Sequence, residues 1–179
     1  MLKFFKIFFL VSLLIFLGCA KKEEEVKKVE EFSIKTAEKI KVVYVENVGP
    51  YWEVGPVFGK VAGYAMDKKI QGRMLGIFYD DPSVVPAESL RCEIGIEVPE
   101  EFVPDSGYII KEIEPHLVVY AILKGPYEEI AKRYPEIVSW AEKKGYQIVG
   151  PVTEIYLKVG PEIPDTEFVT EVQFPVKEK

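Results

Sequence analysis

The chain has 179 residues, of which 48% are hydrophobic and 29% are charged. This composition is typical of a globular protein, and the length leaves room for one ordinary domain or two small halves that share a core. The formal net charge is -6 at pH 7, and no cluster of lysine and arginine stands out, so nucleic-acid binding is disfavoured.

The N-terminus has the pattern of an export signal. Two lysines precede an apolar run from Ile7 to Leu17, and Gly18 and Cys19 follow. The run is shorter than the roughly 20 apolar residues that a transmembrane helix needs. The ending Leu17-Gly18-Cys19 resembles a bacterial lipobox, in which the cysteine is lipidated and becomes N-terminal after cleavage. We expect residues 1–18 to be a signal peptide and Cys19 to carry a lipid; an uncleaved N-terminal anchor is the alternative.

A charged segment follows this cysteine. Residues 19–39 combine many lysines and glutamates with few apolar residues, which predicts a solvated tether with a mean reach of roughly 25 Å if it is flexible. The globular domain is then expected to span residues 40–179, in the cell envelope, facing the periplasm or the exterior. If Cys19 is lipidated, Cys92 has no cysteine partner within the chain, and its alternating surroundings indicate a buried structural thiol.

An internal repeat organises the expected domain. The segments KVVYVENVGPYWEV and LVVYAILKGPYEEI align without a gap, so that their two Gly-Pro-Tyr sequences coincide. In each copy an alternating strand ends at Gly-Pro, and a segment with helical spacing of apolar residues follows, at 51–67 and at 127–144. Two further strands complete each unit, so the repeats cover about 40–99 and 116–175.

Each unit therefore has the order strand–helix–strand–strand. One helix covers only part of a three-stranded sheet, so the two units bury more apolar surface together than apart. A pseudo-twofold arrangement joins them into one antiparallel sheet with two helices on one face, which is an α+β fold. A groove floored by strands would lie between the helices, and a cleft of this kind is where we expect a ligand.

Three sequence features carry a family resemblance. The doubled VVY…GPY pattern, the stretch GIFYDDPSVVPAESLRCEIGIEVP and the later GPVTEIYL resemble the GyrI-like family, over roughly residues 40–176. This family includes the effector-binding domains of AraC- and MerR-type regulators and is structurally related to the SOUL haem-binding proteins. The resemblance implies the fold described above. It leaves the activity open, because members bind drugs or other small molecules, inhibit gyrase or hydrolyse electrophilic compounds.

Glu154, in GPVTEIYL, is the first candidate for ligand contact. The resemblance implies this role, because Glu154 matches the acidic residue that family members place in the ligand groove, often facing a cationic ligand. Alternation independently places Val152, Glu154 and Tyr156 on one face of a strand. A carboxylate among apolar neighbours faces solvent or is paired, because burying it bare is costly. An exposed strand glutamate is the alternative.

The repeat predicts partners for this carboxylate. Aligning the first glycines of GIFYDD and GPVTEI makes Asp80 the counterpart of Glu154 and Phe78 the counterpart of Val152. Two acids related by the pseudo-twofold would then reach the groove. A turn is the alternative for Asp80, because aspartate and proline are both favoured in turns.

Aromatic residues are the second signal for a binding site. Tyr51, Trp52 and Tyr127 lie at the starts of the two predicted helices, and Tyr156 shares its strand face with Glu154. Aromatic faces beside a carboxylate suit a flat or cationic apolar ligand, although core packing accounts for most of the chain's aromatic residues. The predicted ligand-binding residues are Glu154, Tyr156, Tyr51, Trp52, Tyr127, Phe78 and Asp80.

Arrangements that indicate catalysis or a cofactor are sparse. His116 is the single histidine and lies at a predicted strand start, so neither a Ser–His triad nor a histidine-rich metal site is available. We expect no cofactor, and haem ligation by His116 is disfavoured despite the SOUL kinship.

The favoured hypothesis is a membrane-tethered domain that binds a small molecule and has no catalytic activity. A hydrolase of small electrophiles that uses Glu154 and a groove tyrosine is one alternative, and a protein-interaction module without a ligand is another. A gyrase inhibitor or a transcription regulator is disfavoured, because the chain is expected to be exported. Neither the ligand nor the oligomeric state follows from the sequence.

Overall fold

The computed structural model describes residues 31–179, in which helices cover one face of a nine-stranded antiparallel sheet. The strands are β1 (Ser33–Ala37), β2 (Ile40–Val48), β3 (Met74–Phe78), β4 (Arg91–Glu97), β5 (Ile109–Ile113), β6 (His116–Lys124), β7 (Tyr146–Ile148), β8 (Val152–Lys158) and β9 (Val169–Glu178). The helices are α1 (Gly55–Lys68), α2 (Tyr127–Ala131) and α3 (Tyr134–Lys143), and short 3₁₀ turns lie at Tyr51–Glu53, Ala87–Ser89 and Asp165–Glu167.

The strand order follows the internal repeat. From one edge to the other it is β1-β6-β9-β8-β3-β4-β2-β5, and β7 pairs with β9 outside this path. A pseudo-twofold axis passes between β8 and β3 and relates β6 to β2, β9 to β4 and β8 to β3. The predicted α+β fold, with two repeats in one antiparallel sheet, is confirmed.

The first strand of each half pairs with the other half. β1 pairs with β6 in the register Ala37↔His116, and β5 pairs with β2 in the register Ile113↔Ile40. The two pairings correspond under the ungapped alignment of the repeat, which matches Ala37 with Ile113 and Ile40 with His116. Because β1 belongs to the sheet, the domain starts ahead of Ile40, the start expected from the sequence, and takes in part of the expected tether.

Short links make the sheet curl. Two residues, 38–39, join β1 at one edge to β2 beside the opposite edge, and residues 114–115 join β5 to β6 in the same way. Two residues span only about 10 Å, so the edges must approach each other. Lys39 in the first link lies 2.7 Å from the carboxylate of Glu112 and 3.7 Å from that of Glu114.

The second predicted helix, 127–144, is broken in the structure. α2 ends at Ala131, and α3 begins at Tyr134 with Pro135 in its first turn. Proline has no N–H for the carbonyl one turn earlier, and its ring clashes there, so the helix has to restart. A separate 3₁₀ turn likewise precedes α1, whose first turn holds Pro56.

Apolar side chains pack on both faces of the sheet. On the helix face, one cluster joins α3 to β6 and β9, and a second joins α1 to β2 and β4. A third cluster lies on the opposite face and contains Val42, Tyr44, Leu75, Ile77 and Ile155. Each fully buried aliphatic side chain contributes roughly 1.5–3 kcal/mol, so the two helix-face clusters hold the layers together.

The predicted signal peptide and Cys19 lie outside the described residues. Within residues 31–179, no helix is both long enough and apolar enough to cross a membrane. Cys92 is a buried free thiol, and burial raises the pKa of this thiol. This is the setting of a structural cysteine.

Candidate functional site

A buried carboxylate lies where the two halves meet. Glu154 on β8 is directly opposite Gly76 on β3 and, on its other side, opposite Val172 on β9. Its side chain is on the helix face of the sheet, together with those of Val152 and Tyr156, as the alternation predicts. Glu154 is only 7% exposed, so the alternative of a solvent-exposed strand glutamate is wrong.

Two tyrosines hold this carboxylate. The Tyr134 hydroxyl, from α3, donates to Oε1, and the Tyr156 hydroxyl donates to Oε2 at 2.8 Å. No lysine, arginine or histidine of residues 31–179 is paired with Glu154. Burial raises the pKa of Glu154, and the two tyrosine hydrogen bonds oppose that rise only in part. Among the described residues, the site is therefore a buried acid without a counter-ion.

The phenols around Glu154 are poor acids. Burial, followed by the charge of Glu154, raises the pKa of Tyr127 to about 12. The same two causes raise the pKa values of Tyr134 and Tyr156 further. These hydroxyls remain protonated at neutral pH, so they act as hydrogen-bond donors and are unsuited to be bases or nucleophiles.

Aromatic rings flank Glu154 in a pattern that the pseudo-twofold repeats. Tyr51 packs edge-on against Phe78 with ring centroids 5.0 Å apart, and Tyr127 packs in the same way against Tyr156 at 5.5 Å. Tyr127 is the counterpart of Tyr51, and Tyr156 is the counterpart of Phe78. Two matching groups of rings thus lie on either side of the central carboxylate.

Two further rings of the site were not among the predicted binding residues. Phe58 of α1 packs edge-on against Tyr156 with centroids 5.0 Å apart, and Tyr134 of α3 is a hydrogen-bond donor to Glu154. Both positions face inward on predicted helices, where core packing is the simpler interpretation. The ungapped alignment of the repeats matches Phe58 with Tyr134, and this correspondence is the signal that could have found them.

Gly76 makes room for the cluster. A Cβ at this position would lie 2.8 Å from Cε2 of Phe78 and 2.9 Å from the hydroxyl oxygen of Tyr156, which is closer than atoms can pack. Because Gly76 is also the structural counterpart of Glu154, the pseudo-twofold is broken at its centre. The site therefore has one carboxyl group where a symmetric site would have two.

The predicted correspondence between the repeats is wrong in this region. In the strand ladders, Gly76 of β3 corresponds to Glu154 of β8, and Phe78 corresponds to Tyr156. The sequence separation between corresponding residues of β3 and β8 is therefore slightly larger than that between corresponding residues of β2 and β6. Phe78 is the ladder partner of Val152 and not its counterpart. The alignment of the first glycines of GIFYDD and GPVTEI was wrong because the second half has extra residues around β7, ahead of β8. The correspondence follows the register of the strand pairs and not the positions of these glycines.

Asp80 consequently lies apart from Glu154. It is four residues beyond Gly76, or about 13 Å along an extended chain. Its carboxylate accepts hydrogen bonds from the guanidinium of Arg91 at 2.7 Å and 2.9 Å, and these bonds lower its pKa. The Tyr51 hydroxyl accepts a hydrogen bond from the Asp80 N–H at 3.0 Å, so this pair closes a loop beside the first ring group.

The remaining predicted residues lie at the rim. Trp52 is 73% exposed, and Tyr127 is 37% exposed. Tyr127 contacts both Tyr156 and Phe168, with centroids 5.5 Å and 5.4 Å apart. The structure therefore brings Tyr127 and Tyr156 together at Glu154, whereas Trp52 lies in solvent outside this group.

Aromatic side chains surround Glu154 on the helix face, where the groove was predicted. Glu154 is hydrogen-bonded to the hydroxyls of Tyr134 and Tyr156, and the rings of Phe58 and Tyr127 pack on the Tyr156 ring. A cavity of about 220 Å³ lies on the opposite face of the sheet, against Thr153 and Ile155. Cations on its wall are already paired, as shown by Lys35 with Glu171 and Arg73 with Glu97. Because Glu154 is only 7% exposed, a ligand that touches its carboxylate has to displace neighbouring side chains.

The fold and the site define a duplicated α+β domain with a single carboxylate beneath aromatic rings. Residues 30–177 match the family described as GyrI-like small molecule binding domain. A DNA gyrase inhibitor of Salmonella typhimurium is 31% identical over 157 residues, covering 83% of this chain and 99% of that protein. The chain belongs to the GyrI-like family, which confirms the family predicted from the sequence.

Solved structures share the fold. EcmrR, in a complex with DNA, matches with a TM-score of 0.71 at 18% identity over 83% of this chain and 57% of the EcmrR chain. A hydrolase from Listeria innocua matches at 0.62 and 12% identity, over 82% of this chain and 92% of that chain. A protein bound to tetraphenylphosphonium matches at 0.57 and 12% identity, over 82% and 94%. At these identities the likeness shows the fold and leaves the activity open.

Proposed function

We propose that this protein is an exported, lipid-anchored lipoprotein whose GyrI-like domain binds a small monocation with an apolar or aromatic body. The site consists of Glu154 and the rings around it, with Tyr134 and Tyr156 holding the carboxylate. One observation carries the proposal: Glu154 is buried, and no cation among residues 31–179 is paired with it. The family's description as a small-molecule-binding domain supports the same reading.

The chemistry of the site favours a cation over a neutral or anionic ligand. An ionised carboxylate is costly to bury alone, and an entering cation supplies the missing counter-charge. Ring faces attract a cation within about 6 Å of their centroids, and Tyr127, Tyr156 and Phe58 lie where they can provide such faces. A single carboxylate opposite a glycine suits one positive charge.

The anchor sets the compartment of this ligand. Lipidation of Cys19 would hold the domain outside the cytoplasm, at a membrane of the cell envelope. The DNA gyrase inhibitor among its relatives has a target that an exported domain does not meet. We therefore propose a small molecule of the envelope or the exterior as the ligand, with no nucleic-acid partner.

Binding without turnover fits the site better than hydrolysis. A hydrolase that used a groove tyrosine as its acid or base would need a phenol that can give or take a proton at neutral pH. The pKa values of Tyr127, Tyr134 and Tyr156 are all raised by burial, so none of these phenols suits that task. A protein-interaction module would have no use for a buried carboxylate without a counter-ion.

A titration tests the proposal. Wild type and Glu154→Gln are titrated with benzyltrimethylammonium and with neopentylbenzene, its neutral isostere. The amide keeps the shape and removes the charge, so affinity for the cation should fall about ten- to a hundredfold, while affinity for the neutral probe changes much less. Equal affinities of the two proteins for the cation would overturn the proposal. Turnover in a parallel panel of esters and epoxides would favour the hydrolase.

A further inference from the structure

One buried polar atom beside the site has no partner. Thr170 on β9 is 0% exposed, and its Oγ1 makes no hydrogen bond within residues 31–179. Thr170 is directly opposite Tyr156 in the β8–β9 ladder, so its side chain is on the helix face, with Glu154. Buried hydroxyls are nearly always paired, so the Thr170 hydroxyl calls for a partner that the described residues do not supply.

The other half of the molecule serves as an internal control. Cys92 is the counterpart of Thr170, and its cross-strand neighbour Asn47 has Nδ2 3.9 Å from the Cys92 Sγ. The polar atom at that position therefore has a partner within the protein. The counterpart of Asn47 is Leu123, the cross-strand neighbour of Thr170, and leucine has no hydrogen-bonding group. The unpaired hydroxyl thus belongs to the half that carries the carboxylate.

Thr170 and Glu154 are placed for contact with one molecule. Glu154 is opposite Val172, and Thr170 is two residues from Val172 on the same strand face. The two residues are diagonal cross-strand neighbours, which lie about 7–8 Å apart. Tyr156 lies beside both, and Phe58 covers its ring. A ligand whose cation meets Glu154 can therefore extend along Tyr156 to the Thr170 hydroxyl.

We propose that Thr170 is the second polar contact of the ligand and a determinant of specificity. The site then prefers a monocation that carries a hydroxyl, carbonyl or amide group several ångströms from its cationic centre, because the backbone positions of Glu154 and Thr170 are about 7–8 Å apart. A threonine hydroxyl can donate or accept a hydrogen bond, so the group on the ligand can be either an acceptor or a donor. This inference rests on the proposed function, because it requires the cation at Glu154.

Two isosteric probes test the inference. (4-Hydroxymethylbenzyl)trimethylammonium and (4-ethylbenzyl)trimethylammonium differ only by a hydroxyl in place of a methyl group. Wild type should prefer the hydroxyl probe by about two- to tenfold, the range of one hydrogen bond. In Thr170→Val the ratio of the two affinities should approach one, and Thr170→Ser should restore the preference. Thr153→Val, on the opposite face of the sheet, is the control and should retain it.

The outcomes separate this inference from the proposed function. A Thr170→Val protein with the wild-type ratio would overturn the role of Thr170 and leave the cation site intact. A wild type that binds neither probe nor benzyltrimethylammonium would overturn the proposed function, and this inference with it. A purely structural role for Thr170 predicts that Thr170→Val changes the unfolding temperature without changing the ratio, so thermal unfolding is measured alongside.

Discussion

Gly76 and Glu154 are direct partners in the β3–β8 ladder and also counterparts in the internal repeat. A symmetric site would have placed two identical side chains there, only about 5 Å apart. Glycine on one side leaves space, which the Tyr156 hydroxyl and the Phe78 ring use. Glutamate on the other side gives the site its single carboxyl group, so this pair makes the candidate site asymmetric within a symmetric scaffold.

Gly76→Ala should damage both the fold and the site. Its Cβ would lie 2.8 Å from Cε2 of Phe78 and 2.9 Å from the Tyr156 hydroxyl, so the Phe78 ring and the hydroxyl that donates to Glu154 must shift. Overpacking of this kind costs about 1–3 kcal/mol, and the affinity for benzyltrimethylammonium should also fall. Urea unfolding and titration measure the two effects.

Gly63→Ala is the matched control. Gly63 lies in α1 with nothing within 4 Å of an added Cβ, and alanine is the better helix former by about 1 kcal/mol. This variant should be more stable than wild type and bind the probe as wild type does. Unchanged stability and binding in Gly76→Ala would show that the cluster yields easily and that Gly76 does not shape the site.

The face of Glu154 and the pseudo-twofold fold were predictable because they depend on local alternation and on an ungapped repeat. The position of Asp80 was not, because a strand's register is fixed by cross-strand hydrogen bonds and a change of a few residues in a connection alters every counterpart beyond it. The residues of β3 and β8 that correspond in the two repeats can be identified only from the pairing of Gly76 with Glu154 in the folded sheet.

The first strand was missed for a different reason. β1 is an edge strand whose residues include Lys35, and composition alone cannot distinguish such a strand from a charged tether. In the fold, Lys35 pairs with the buried carboxylate of Glu171, far away in the sequence, and lies 4.4 Å from the ring centroid of Tyr120. Lys111 on β5 makes the matching contacts with Glu93 and Tyr44. These partners become neighbours only after the sheet has formed.

The titration of Glu154 should make stability depend on pH. Burial raises its pKa above the ordinary value of 4.5, so the folded protein keeps a proton that the unfolded chain has already lost. The stabilisation that this proton provides is complete below the ordinary value and is lost as the pH rises through the raised pKa. Glu154→Gln lacks this titration. Between the ordinary value and the raised pKa, the free energy of unfolding of wild type should therefore fall relative to that of Glu154→Gln. At higher pH the difference between the two proteins should be constant.

Urea unfolding of both proteins at several pH values measures this difference. The affinity of wild type for benzyltrimethylammonium should rise over the same pH range, because the cation binds the ionised carboxylate, whereas the affinity for neopentylbenzene should not. A difference in stability between the two proteins that is independent of pH would contradict the assignment of the titration to Glu154.

The lipid anchor predicts a clear phenotype for Cys19→Ser. Serine cannot form the thioether, so incorporation of labelled palmitate should be lost and the chain should leave the membrane fraction. Cys92→Ser is the control, because a buried thiol inside the domain is not a lipidation site. A Cys19→Ser protein that is still labelled would rule out lipidation at this residue.

Because β1 and β5 each pair with a strand of the other half, the isolated first half is predicted to associate as a dimer. A fragment of residues 31–107 lacks β5, but β1 of a second copy can take its place on β2, since the two strands are counterparts. Its β3 would pair with β3 of the second copy, with Gly76 opposite Gly76. No charge is buried at that contact, so this fragment should form a stable dimer by analytical ultracentrifugation.

The fragment of residues 108–179 should behave differently. Pairing β8 with a second β8 places Glu154 opposite Glu154, and two buried carboxylates at that distance cannot both be ionised. We expect this fragment to be monomeric and unfolded at neutral pH and to dimerise when the carboxylates are protonated. Glu154→Gly places glycine opposite glycine, as in the dimer of the first fragment, and should restore the dimer at neutral pH. If both fragments were stable monomers, the two halves would not need the surface that they share, and the argument from strand exchange would be wrong.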